Sequence, residues 1–159
     1  MPNFKNLNSL FLYIEKQTLK AMQDDVARYV ADIIQKYLLS TVYDNPHDEY
    51  ERTYEVLRAL TIDKAIKKGN EISVRIFIDP DKIIPRSNEG MWGSHQSFDG
   101  SPYNEELPFL LEYGNKKFNP YYNTPAFGFM QLTEDELNKT KLHMEKLIGY
   151  LKTKGINVE

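Results

Sequence analysis

Cysteine is absent from this chain. Disulfides, thiolate nucleophiles and cysteine metal sites are therefore excluded, and the composition suits a reducing cytosol. Long apolar runs are missing too. Leu10-Phe11-Leu12-Tyr13-Ile14 is far too short to span a bilayer. Met1-Pro2-Asn3-Phe4-Lys5 has no charged region leading into a long apolar stretch. The expectation is a soluble intracellular product with no export signal and no membrane partner. An excess of basic charge is also lacking: Lys and Arg number 20, Asp and Glu 23, for a net charge of -3. General nucleic-acid binding needs a basic patch or stripe, and only Lys67-Lys68 and Lys116-Lys117 offer short basic pairs.

Tyrosine is plentiful, at 11 residues against 8 Phe and 1 Trp. Its apolar body and polar tip suit surfaces half buried in an assembly, although a Tyr-rich core and surface of a monomer accounts for the count as well. The length of 159 residues favours a single domain over residues 1–159.

From Leu7 to Leu39 apolar residues recur at helical spacing, and Asn6 is placed to cap the start. The stripe thins between Lys16 and Lys20, where a break is the alternative to one long helix. A helix of that length exceeds an ordinary small domain, so one end is expected to project onto a neighbour. Tyr43-Asp44-Asn45-Pro46 reads as a turn, and a shorter helix is expected from Asp48 to about Ala59. Next comes a hairpin. Leu60, Ile62 and Ile66 line one strand, Lys67-Lys68-Gly69-Asn70 turn, and Ile72, Val74, Ile76 and Ile78 alternate with Ser73, Arg75 and Phe77, one face on the core.

Periodicity is then lost in a long loop at 79–101, which carries Met91, Trp92, His95 and Phe98. Apolar residues in such a loop need a cover, either a partner subunit or their own domain. Tyr103 to Glu112 forms a short element limited by Pro108. Tyr113 to Lys117 turn, and a late strand is expected around Ala126 to Gln131. The terminal helix is expected to begin at a Thr133/Glu136 capping box with a Leu132/Leu137 staple. Its predicted stripe is Leu137, Met144, Leu147, Ile148 and Leu151, and Gly155 is placed to close it. The fold class is thus α+β: a long N-terminal helix and a C-terminal helix packed on a small antiparallel sheet with a β-hairpin and a long loop.

No active site resolves. Asp44, His47, Asp48 and Glu49 are rich in ligand atoms, but no second His is near and no zinc or calcium spacing is matched. A polar helix start explains them better. His143 stands among lysines on a predicted solvated face. Ser94-His95 lacks nucleophile–base geometry, Glu105-Glu106 reads as a solvated element start, and Gly-rich phosphate loops are absent. The expectation is no catalytic residue, no cofactor and no metal.

The order of motifs points further. Tyr50-Glu51-Arg52-Thr53 follows the long helix, Leu111-Glu112-Tyr113-Gly114 comes later, and Pro125-Ala126-Phe127 precedes the terminal helix. In this order the chain resembles the tail-completion or neck proteins of long-tailed bacteriophages, typified by the gene-product-10-like family of lambdoid siphophages. The resemblance spans roughly Leu7 to Leu151. Where that family usually has Gly after Arg-Thr, this chain has Tyr54. Where it commonly has Thr after the later Gly, Asn115 stands, and the loop at 79–101 is longer.

The resemblance implies a non-enzymatic structural protein of the virion, assembled in the host cytoplasm. It would form a homo-oligomeric ring on the portal–connector or the tail tube and join head to tail. DNA would pass through the lumen without sequence-specific binding, so a basic surface is not required. Met91, Trp92 and Phe98 would anchor a neighbouring subunit, and Glu112, Tyr113 and Gly114 would form a turn setting the last strand beside the terminal helix. A small protein-binding adaptor is the alternative. A metal-dependent hydrolase using Asp44, His47 and Glu49 is the more remote one.

Overall fold

The computed structural model describes residues 4–44, 54–83, 107–114 and 126–158. Asn6 starts the first helix as its sequence suggests. Its side chain accepts from the Ser9 N–H at 2.9 Å, and the Ser9 hydroxyl accepts from the Asn6 N–H at 3.3 Å. Two otherwise unpaired donors are thereby satisfied reciprocally. Helix α1 (Leu7–Ala21) continues through a π-helical turn (Met22–Val26) into α2 (Ala27–Tyr37) and a second such turn (Leu38–Tyr43). The helix thus runs four residues beyond Leu39. It is unbroken between Lys16 and Lys20, and the irregularity sits at Met22–Val26 instead. A π-helical turn fits an extra residue into the helix without ending it.

After residue 54 come α3 (Glu55–Arg58), β1 (Leu60–Ile62), β2 (Ile66–Lys68), β3 (Glu71–Ser73) and β4 (Ile76–Ile78). The predicted hairpin is present but divided. Strands β2 and β3 pair antiparallel in the register Ile66–Ser73, Lys67–Ile72 and Lys68–Glu71, while β1 pairs with β4. Lys67 and Lys68 are strand residues, so the turn is only Gly69-Asn70. Nor does β2 face a core: all three of its residues are exposed. A 3₁₀ turn (Pro80–Lys82) follows, capped by the Asp79 side chain. The rest of the predicted loop, with Met91, Trp92, His95 and Phe98, lies outside the described residues.

Helices α4 (Leu107–Tyr113), α5 (Phe129–Thr140) and α6 (Leu142–Thr153) complete the chain. Pro108 lies in the first turn of α4, where its missing N–H costs nothing. The expected strand at Ala126 to Gln131 is not formed, because α5 begins at Phe129. The Thr133/Glu136 box is likewise not the helix start. Thr133 lies inside α5 and is 4% exposed. The terminal helix is also interrupted at Lys141, whose φ of 55° is left-handed. Leu137 and Met144 therefore do not share one helical stripe. The C-terminus behaves as its sequence indicates. Gly155, at φ 75°, donates to the Lys152 carbonyl, and Ile156 donates to Leu151, both at 3.0 Å. This is the Schellman closure.

The residues group into two compact units. The first comprises Met1–Ile33, Ile62–Ile76 and Thr133–Glu159. In it α6 packs on α1 and on the Met22–Val26 turn. The Tyr13 hydroxyl donates to the Lys154 carbonyl at 3.1 Å, and the Tyr150 hydroxyl donates to Gln17 at 3.3 Å. The β2–β3 hairpin is tied to this helical layer at its base. Ala65 N–H donates to Gln23 Oε1 at 2.6 Å, and Lys67 pairs with Glu15. Ala21, Val26, Ala27, Ala31 and Leu151 are among its buried residues. The second unit comprises Ile34–Thr61 and Phe77–Leu132. Ile34, Leu38 and Val42 bury one row of the helix, and Val56, Ile83, Leu110, Leu111 and Phe129 are buried in the same unit.

Candidate protein-interaction site

Within the second unit, α4 ends against the start of α5. Glu112 is the centre of the junction and is only 8% exposed. Its carboxylate accepts from Met130 N–H at 2.8 Å through Oε2 and from Gln131 N–H at 3.1 Å through Oε1. These N–H groups belong to the first turn of α5, which has no internal acceptor for them. A carboxylate there also meets the positive end of the helix dipole. The backbone completes the clasp. Phe127 N–H donates to the Leu111 carbonyl at 2.9 Å, and Gly128 N–H donates to the Glu112 carbonyl at 3.1 Å. Gly114, at φ 74°, ends α4 by donating to Leu110 at 2.8 Å. Glu112 and Tyr113 are therefore the last residues of a helix, and what lies beside it is the start of α5 rather than a strand.

Holding Glu112 inward turns its neighbour outward. Tyr113 is 65% exposed and Phe109 56% exposed, and their ring centroids are 4.7 Å apart at 47°. The residues are four apart on α4, so they lie on one face. Met130, on the adjoining turn of α5, is also exposed. Exposed aromatics on a rigid support are characteristic anchors of protein interfaces. Of the predicted interface residues, the structure thus brings together Glu112, Tyr113 and Gly114, with Glu112 as the internal clasp. Met91, Trp92 and Phe98 lie outside the described residues. Phe109 and Met130 were missed as interface candidates. The i, i+4 spacing of Phe109 and Tyr113 was the available signal.

The alternative chemistry gains no geometry. Asp44 caps the Leu38–Tyr43 turn through its N–H, which donates to Leu39 at 2.9 Å, while His47 and Glu49 lie outside the described residues. Among the described residues, no group of three or more His, Cys, Asp or Glu converges on one point. His143 is half-buried rather than solvated, and its Nδ1 has no hydrogen-bond partner among the described residues. No described helix is long and apolar enough to cross a membrane.

The YomN family matches residues 6–153. No curated protein and no solved structure matches the chain significantly. The chain belongs to the YomN family, a phage-derived family of SPbeta type.

Proposed function

We propose that this YomN-family chain is a structural, non-catalytic protein of a phage neck or tail end. Its copies form a ring that joins the head connector to the tail tube around a channel for DNA. The observation that carries the reading is the exposed Phe109–Tyr113 pair on a helix whose Glu112 carboxylate is held by the first turn of α5. An exposed aromatic surface with no array of polar groups beside it among the described residues suits binding rather than turnover. Membership in a phage family and the order of motifs along the chain support the virion as its place. DNA in such a lumen needs only passage, which agrees with the net charge of -3. The portal–connector and tail-tube proteins of the same virion are the proposed neighbours, with assembly in the host cytoplasm.

The test is direct. Purified particles are analysed by mass spectrometry and labelled with gold-conjugated antibody to the chain. Label at the head–tail junction or tail end is the expected result. Absence of the chain from intact particles overturns the reading and favours the adaptor.

A further inference from the structure

The chain carries a net charge of -3, yet its first unit holds more Lys and Arg than Asp and Glu. Four of those lysines are gathered where α6 packs on α1, inside that unit. The Tyr150 hydroxyl donates to Gln17 at 3.3 Å, and this bond marks the seam between the two helices. Lys16 and Lys20 flank Gln17 on α1, one turn apart. Across the seam, Lys146 and Lys154 stand one turn before and one turn after Tyr150. The Tyr13 hydroxyl donates to the Lys154 carbonyl at 3.1 Å and ties that end of the row to α1. All four lysines are exposed and have no ion-pair partner among the described residues.

Two of them are held without being neutralised. Lys146 Nζ lies 4.9 Å from the centre of the Tyr29 ring, and Lys154 Nζ lies 5.1 Å from that of Tyr150. An aromatic face attracts an ammonium through its quadrupole and leaves the charge in place. Nearby acids do not cancel the rows. Glu15 pairs with Lys67, and Asp24 with Arg28. Glu145 precedes Lys146 by one residue, about 100° round the helix. Asp25, the remaining acid of these elements, lies in the Met22–Val26 turn and is half-buried.

We infer that this lysine seam is the face that meets the backbone of duplex DNA. The inference deepens the proposed ring and rests on that reading for DNA as the polyanion at hand. Lysine binds phosphate as a point charge, and contacts of that kind position a duplex without reading its sequence. Lys16 and Lys20 are roughly 6 Å apart along α1, and Lys146 and Lys154 roughly 12 Å apart along α6. Duplex DNA presents one negative charge per about 1.7 Å of its axis, so such a seam spans several phosphates wherever it lands. Four contacts of this kind give a weak hold that is free of register and lets the duplex pass. Short basic pairs in the sequence do not report this face, because its lysines come from opposite ends of the chain and meet only through the α1–α6 packing.

The experiment follows the anisotropy of a fluorescently labelled duplex titrated with the full chain across a salt series. Two duplexes of unrelated sequence should bind alike. The logarithm of the binding constant should fall linearly with that of salt, with a slope between about -3 and -4 for four neutralised phosphates. Replacing one row, by Lys16→Gln with Lys20→Gln or by Lys146→Gln with Lys154→Gln, should weaken binding at low salt at least about tenfold. Each double variant should also make the slope shallower by about 2. Arginine at all four positions should keep the binding. Lys64→Gln with Lys68→Gln, on the exposed hairpin, should bind as wild type does. These side chains are exposed, so every variant should keep the wild-type circular dichroism spectrum, and alanine pairs serve where a glutamine pair does not. A wild-type chain that leaves the duplex unbound at the lowest salt overturns the inference. So do seam variants that bind as wild type does, or a hairpin variant that loses as much as they do. Vesicles rich in phosphatidylserine that retain the chain while DNA does not would overturn it as well. None of these outcomes touches the virion test, so the DNA-facing surface can fail while the neck assignment stands.

Discussion

Glu112 accepts a hydrogen bond from the backbone N–H of Met130 at 2.8 Å, linking the last turn of one helix to the first turn of another. With the Gln131 bond at 3.1 Å, it replaces the missing internal acceptors of α5 by one buried carboxylate. Glu112→Ala should therefore cost about 2 kcal/mol, the sum of a lost helix cap and lost charge-assisted bonds. Glu112→Gln keeps one acceptor oxygen and should lose roughly half as much. Denaturant unfolding of the three chains checks the order wild type, Gln, Ala. Equal stability of Ala and wild type would mean that the clasp does not stabilise the fold.

Lys141 and Tyr54 share a left-handed backbone, at φ 55° and 57°, but they should respond differently to glycine. A residue with a side chain pays roughly 1–2 kcal/mol for this conformation. Lys141→Gly should stabilise by about 1 kcal/mol, part of the gain being lost to the greater freedom of unfolded glycine. Tyr54 also stacks on Tyr43, with centroids 4.5 Å apart at 15°. Such a pair contributes about 0.5–1.5 kcal/mol, so Tyr54→Gly should come out near neutral. The resembled neck family usually carries Gly at this position, which a left-handed backbone accommodates. Thermal melts of the two variants check the contrast.

Alanine should act in opposite directions at Gly149 and Gly128. Neither position has a heavy atom within 4 Å of an added Cβ, so sterics with neighbours play no part. Gly149 is inside α6, where alanine is favoured by about 1 kcal/mol. Gly128 has φ 59°, so Gly128→Ala should destabilise by about 1 kcal/mol. Two variants with the same sign of change would contradict this.

Gln23 holds the base of the β2–β3 hairpin by accepting from Ala65 N–H at 2.6 Å. Gln23→Ala leaves that nearly buried donor unpaired, at a cost of about 1–3 kcal/mol. The local signature is hydrogen exchange. The Ala65 amide should lose protection while amides within α6 change little.

Local signals were legible wherever a residue's neighbours in sequence are also its partners. Asn6 caps α1 and Gly155 closes α6 because each satisfies backbone groups within a few positions. The same logic misplaced the start of α5. Thr133 and Glu136 have the spacing of a capping box, but Glu112, 18 positions before Met130, caps the helix a turn earlier. Once that distant acceptor is available, the helix extends back to Phe129, and Thr133 becomes interior. A short-range pattern cannot report such an acceptor.

By itself the sequence determined the class of the molecule: α+β, with a long capped N-terminal helix, a hairpin and a closed C-terminal helix. Those follow from periodicity, caps and turns, which act over one or two turns of chain. Only the tertiary structure decided which residues face outward. Glu112 and Tyr113 are adjacent, yet one is buried and the other exposed. The difference arises because α5 offers N–H donors to the carboxylate and nothing to the ring.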